Sequence, residues 1–245
     1  MAATAFGLIM AGTFVGMIVR SRLPEHHLTG DSKEVIRLAT ALVATLTALV
    51  LALMFAATRA SFEHTSASVS RLATDISELD DVLDEYGPEG VAIRKQLRSE
   101  IGPLIDTMWR DDAIAAGRTV PARPKHNSSA LAMVRDLQPK TPTQASLQTR
   151  ALQIGTDIQQ TRLSLFAQAP DSVSTPFMVV LVLWMMFLFT TFSMSAKPNP
   201  TLAIVLFVCI LSASGAIYLI LELGLPFGGL MQVSNDSLRE ALTPI

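Results

Sequence analysis

The chain is predicted to be an all-α membrane protein with four spans and a helical soluble block set between the second and third. Three observations predict this class. Half of its residues are hydrophobic and only 16% are charged, with a positive mean hydropathy, a balance typical of membrane proteins. Asp31 to Tyr86 covers 56 residues without a Gly or Pro, and its first half, VIRLATALVATLTALVLALMFAA, is long and apolar enough to cross a bilayer. No segment shows the strict apolar–polar alternation of a half-buried strand.

The first span is Ala3 to Val19, ended by Arg20 and Arg22. It lacks the positive leader and small-residue cleavage site of a signal peptide and is read as retained. Ala3, Gly7, Ala11, Thr13 and Gly16 are small enough to admit a close helix neighbour. The second span, Val35 to Ala57, continues as RASFEHTSASVSRLATDISELDDVLDEY. Phe62, Val69, Leu72, Ile76, Leu79, Leu83 and Tyr86 recur there at sevens, threes and fours, the seam of a packed helix. With nothing to break it, the segment reads as one rod, roughly 80 Å long at about 1.5 Å per residue. Gly87-Pro88 then stops and restarts the chain.

Val91, Leu97, Ile101, Leu104, Ile105, Met108 and Trp109 mark the next amphipathic helix, with a kink expected at Gly102-Pro103. GRTVPARPKHNSS, 117–129, is a basic proline-rich loop. A short helix near Ala130 to Leu137 follows. The last helix of the block carries Leu147, Ala151, Ile154, Ile158 and Leu165 on one face. The third span is Val173 to Phe192, with Pro176 in its first turn. The fourth is Thr201 to Leu223, entered through Lys197-Pro198-Asn199-Pro200. The expected division is therefore 1–57 for spans one and two, 58–172 for the block, 173–223 for spans three and four, and 224–245 for a tail. Four spans put both termini and the block on one side. Arg20, Arg22, Lys33, Arg37 and Lys197 on one side balance Arg59, Arg71, Arg162 and Arg239 on the other, so charge does not orient the protein.

A net charge of -2 gives no basis for a nucleic-acid partner. The one cysteine, Cys209, excludes an intramolecular disulfide and a cysteine-based metal cluster, and its apolar setting predicts a buried thiol. His26 and His27, with Glu25 and Asp31, are metal or proton-sensing candidates, although adjacent histidines lack the spacing of a helical metal site. The alternative is a polar turn in which Asp31 or Ser32 caps the rod. Asp80, Asp81, Asp84 and Glu85 have carboxylates enough for calcium, yet no Gly-punctuated loop surrounds them, and a solvated helix face explains them as well. Glu222, near the end of the fourth span, is either an ion-pathway acid or a solvated end. No nucleophile elbow, phosphate loop or HExxH is present, so neither an enzyme nor a cofactor is expected. Val43, Thr47, Val50 and Met54 share one face of the second span, while Ala41, Ala44 and Ala48 share another. The mixed face is either a pore lining in a ring of copies or plain bundle packing.

Three places in the chain carry a family resemblance. Phe55-Ala-Ala-Thr58-Arg59-Ala60-Ser61-Phe62-Glu63-His64 is similar to the exit of the second bestrophin helix, and Leu225-Pro226-Phe227-Gly228-Gly229 is similar to the Asn-Pro-Phe-Gly after the last bestrophin span. Leu23-Pro-Glu-His-His-Leu-Thr-Gly-Asp-Ser-Lys-Glu34, Tyr86-Gly-Pro-Glu89 and Leu221-Glu-Leu-Gly-Leu-Pro-Phe-Gly-Gly-Leu230 more closely resemble the bacterial bestrophin-like family. The resemblance implies an ion channel of the inner membrane that passes monovalent ions. It also implies a homo-oligomer, a pentamer by analogy, with a cytosolic block and second helices around a central pore at Val43, Thr47, Val50 and Met54. Glu222, Pro226, Phe227 and Gly228 would then sit where gating or ion binding occurs. GGLMQVSNDSL replaces the acidic calcium clasp of bestrophins and the phenylalanine-rich neck is missing, so calcium gating and ion preference do not carry over. The competing expectation is a structural or regulatory membrane protein whose block docks a partner through the rod's apolar seam and the loop at 117–129.

Overall fold

The computed structural model describes residues 2–22, 31–115, 129–167, 175–195, 199–228, 230–234 and 236–242. Eight helices are described: α1 Ala2–Arg22, α2 Asp31–Tyr86, α3 Pro88–Ala115, α4 Ser129–Asp136, α5 Pro142–Ala167, α6 Thr175–Ser195, α7 Pro200–Leu223 and α8 Asp236–Leu242. Four of them, α1, α2, α6 and α7, are long and apolar enough to cross a membrane. The protein is thus an all-α, multi-pass membrane protein, and α2 runs from its span into the block as one helix. The chain divides into two compact units, Met1–Ala60 with Asp171–Gly224, and Ser61–Pro170 with Leu225–Ile245.

In the membrane unit α1 packs against α6 and α7. Two glycines set the closest approach. A Cβ on Gly16 would fall 2.0 Å from Ser193 Oγ and 2.5 Å from Thr190 O, and one on Gly12 would fall 2.5 Å from Met186 Cγ. The space they leave is used by Thr190, whose Oγ1 lies 2.9 Å from Gly12 O and 2.7 Å from Met186 O, sharing one proton between two helices. Gly12 and Gly16 thus form a small-xxx-small contact. Of the small residues expected at such a contact, Gly16 and Thr13 are buried, whereas Ala3, Gly7 and Ala11 face outward. Ile9, Leu181 and Ile217 are fully enclosed at the centre. Asn199 caps α7 by accepting from Leu202 N at 2.6 Å, with Pro200 in the first turn where its missing N–H costs nothing. Cys209 is exposed, contrary to expectation, because α7 turns Leu206, Ile210, Ser214 and Ile217 inward and Cys209 lies on the other side.

The soluble unit is built on the second half of α2. Gly87, at φ 112°, supplies the left-handed residue that ends α2, and α3 starts at the next position. A Cβ on Gly90 would meet Leu83 O at 2.0 Å, so α3 begins in contact with α2 backbone. Arg94 and Arg98 then reach back to Asp80, at 2.6 and 3.3 Å, and Arg94 also pairs with Asp84. Two members of the acidic cluster are therefore held by arginines across the α2–α3 hairpin. Val69, Leu72, Ile76, Leu79 and Leu83 form the buried seam, filled by Ile93, Leu97 and Ile101 of α3, Val134 of α4, Ala151, Ile154 and Ile158 of α5, and Leu238 of α8. Val91 is 60% exposed and Ile93 is the buried residue near the start of α3. The side chains of Leu104 and Met108 lie outside the described residues. Beyond the last span, Val233 and Leu238 enter the block's core. Trp109 holds this segment edge-on through Phe227, with ring centroids 5.2 Å apart, and donates from Nε1 to Val233 O at 2.9 Å.

Candidate functional site

The membrane half of α2 has two distinct faces. Its inner face carries Thr40, Val43, Thr47, Val50, Leu51, Met54 and Thr58. Thr47 is 2% exposed, and Val50, Leu51 and Met54 pack on the cluster of Ile9, Leu181 and Ile217. The stripe Val43, Thr47, Val50 and Met54 is therefore brought together, and it is turned toward the chain's own spans. A buried hydroxyl in this setting needs a partner. Each threonine finds one in its own helix: Thr40 Oγ1 donates to Ile36 O, Thr47 to Val43 O and Thr58 to Met54 O, all within 3 Å. Thr65 repeats the bond to Ser61 O farther along α2. Spacings of 7, 11 and 7 place these four threonines on one line of the helix. Sequence reasoning singled out only Thr47, although the spacing was there to be read.

The outer face is different. Leu38, Leu42, Leu46, Leu49 and Leu53 are 41–65% exposed. Between them Ala41, Thr45, Ala48, Ala52 and Ala56 are exposed too. Thr45 is the polar member of the middle of this face, its Oγ1 bonded to Ala41 O at 2.9 Å. From Leu38 to Thr58 α2 carries no charge. Its apolar window is 11% buried, against 28% for each of the other three spans, so α2 is the least enclosed of the four.

Glu222 closes α7 at 8% exposure, hydrogen-bonded by the Tyr218 hydroxyl one turn earlier. It is therefore an enclosed acid rather than a solvated end. Pro226, Phe227 and Gly228 form a tight loop in which Gly228 N donates to Leu225 O at 3.3 Å and Val233 N to Pro226 O at 2.8 Å. The side chains of that loop are uncharged, and Phe227 sets it edge-on against Trp109. The bond from Trp109 to Val233 spans 124 positions and had no local signal in the sequence. His26 and His27 lie outside the described residues, as does the side chain of Asp31. Among the described residues no three His, Cys, Asp or Glu come together as a metal-binding group.

An all-α protein with four spans, one of them continuing into a helical block, has the general character of a channel- or transporter-like membrane protein. The chain belongs to the bestrophin-like domain family, which matches it over residues 7–238. Neither a curated protein nor a solved structure matches the chain.

Proposed function

We propose that this protein is an ion channel assembled from several copies, five by the bestrophin analogy, with α2 lining a central pore and the helical block on the cytosolic side. The observation that carries the reading is the bareness of α2. It is the span least covered by its own chain, and its outer face stays uncharged for the depth of a bilayer. A pore-lining face must be free of the protomer's own helices. The burial of Thr47 therefore moves the proposed lining from Val43, Thr47, Val50 and Met54 to Leu38, Leu42, Thr45, Leu49 and Leu53. A ring of such faces makes a narrow apolar constriction that conducts when wetted, with Thr45 as its polar step. Glu222 and the Pro226–Gly228 loop are proposed to bear on gating rather than on the lining.

The partner-docking reading has lost its main support. The seam that would have received a partner is filled by α3, α4, α5 and α8, and the loop at 117–128 lies outside the described residues. The test is ion flux into proteoliposomes of the purified protein, with potassium, sodium and chloride, beside a Leu49→Arg variant. Selective flux that the arginine alters by tenfold or more supports the channel; a folded oligomer with no flux for any of the three ions sinks it.

A further inference from the structure

Outside the four spans, the large apolar side chains left exposed among the described residues are Val91, Leu163, Leu230 and Met231. Val91 and Leu163 stand singly on helices, which is ordinary for a protein surface. Leu230 and Met231 are adjacent, and Leu230, at 84%, is the most exposed large hydrophobic residue among the described residues.

Their exposure is not that of a slack tail. Val233 N donates to Pro226 O at 2.8 Å, which closes the segment between them into a loop. Both feet of the loop stand on one side chain. Phe227 meets the Trp109 ring edge-on with centroids 5.2 Å apart, and Val233 O accepts from Trp109 Nε1 at 2.9 Å. Val233 itself is buried in the block's core. Leu230 and Met231 lie between these anchored feet, so the fold holds two apolar side chains outward.

Three observations name the partner. The loop follows α7 directly: Leu223 ends that span and Leu230 comes seven residues later, so chain length alone keeps it within about 25 Å of the span's end. Residues 223–235, between Glu222 and Asp236, carry no charge, so the loop can meet the headgroup region without desolvating an ion of its own. Two side chains also offer far less than the roughly 800 Å² that each partner of a stable protein–protein contact buries. A lipid contact need not supply binding on its own, because four spans already hold the chain in the membrane.

We propose that Leu230 and Met231 seat at the boundary between headgroups and acyl chains of the bilayer that α7 crosses, fastening the block's C-terminal segment to the lipid surface. The contact is separate from conduction: it holds or fails whether or not the protein passes ions.

The experiment places a nitroxide label on Leu230→Cys, Ser237→Cys and Val91→Cys in turn. Each is made in the full chain on a Cys209→Ser background and reconstituted into phosphatidylcholine–phosphatidylglycerol vesicles. Ser237 is an exposed polar site on α8, and Val91 is an exposed apolar site on α3 that controls for the label's own affinity for lipid. Collisions with oxygen, which concentrates among acyl chains, are compared with collisions with a water-soluble nickel chelate. The expected oxygen-to-nickel ratio at Leu230 is several-fold above the ratios at Ser237 and Val91. A ratio at Leu230 equal to that of either control would overturn the proposal. So would a Leu230 label shielded from both oxygen and nickel, which would give the loop to a second copy of the chain instead of lipid.

Discussion

At the residue scale, two aspartates of α2, Asp80 and Asp75, respond to their surroundings in opposite ways. The hydrogen bond from Arg94 holds the Asp80 carboxyl below its ordinary value near 3.8, with burial opposing. Its contribution to stability is therefore present above pH 3.8 and is lost as pH falls through the lower folded-state value. Asp80→Asn should lower the unfolding midpoint at pH 7 and flatten the acid limb of a stability–pH profile. Asp75 behaves in the reverse sense. Burial, with Asp157 and Glu78, raises its carboxyl against the pull of Arg71, and its Oδ2 is buried with no hydrogen bond. Its folded-state value lies above 3.8, so stability is lost as pH rises from there through that value. Asp75→Asn should thus raise the midpoint at neutral pH by a degree or more, and calorimetry of the two variants side by side would expose any error in sign. Trp109→Phe keeps the ring on Phe227 but strands Val233 O, a loss of about 1 kcal/mol that protease sensitivity of the segment after Gly224 would register.

Elements were legible in proportion to how local their signals are. The rod could be read because nothing in it breaks a helix and its apolar beat persists from Phe62 to Tyr86, and those positions are buried or half-buried as expected. Val91 misled, since an apolar residue at the start of a helix fits the pattern whichever side faces solvent, and the close turn at Gly87 fixes that side only in three dimensions. Cys209 misled for a related reason. A membrane helix is apolar all round, so its sequence does not mark which side meets protein and which meets lipid. The same ambiguity attends the candidate lining: one uncharged helix offers two faces, and the proposal rests on which of them the chain's own spans cover. Gly12 was overlooked beside Gly16, yet the pair sets the α1–α6 contact. Gly16→Leu should therefore cost about 1–3 kcal/mol through overpacking, read as loss of the purified protein's thermal stability, while Gly7→Leu, with nothing within 4 Å of its Cβ, should be nearly silent.

At the scale of the whole molecule, the two compact units divide the labour. The block consumes its own apolar seam and is closed by the segment that follows the last span, so it resembles a finished domain more than an open docking surface. In the membrane unit α2 is the least enclosed of the four spans, and the proposed ring of copies would set its uncharged outer face around a pore. The central claim is tested most directly by reagent access. On a Cys209→Ser background, Thr45→Cys and Thr47→Cys would each be reconstituted and their ion flux followed before and after a small water-soluble thiol reagent. The account predicts flux from both, blocked by the reagent in Thr45→Cys and unchanged in Thr47→Cys. Block at Thr47 with none at Thr45 would contradict the assignment of the outer face, and absence of flux from both variants and from the parent would contradict the channel itself.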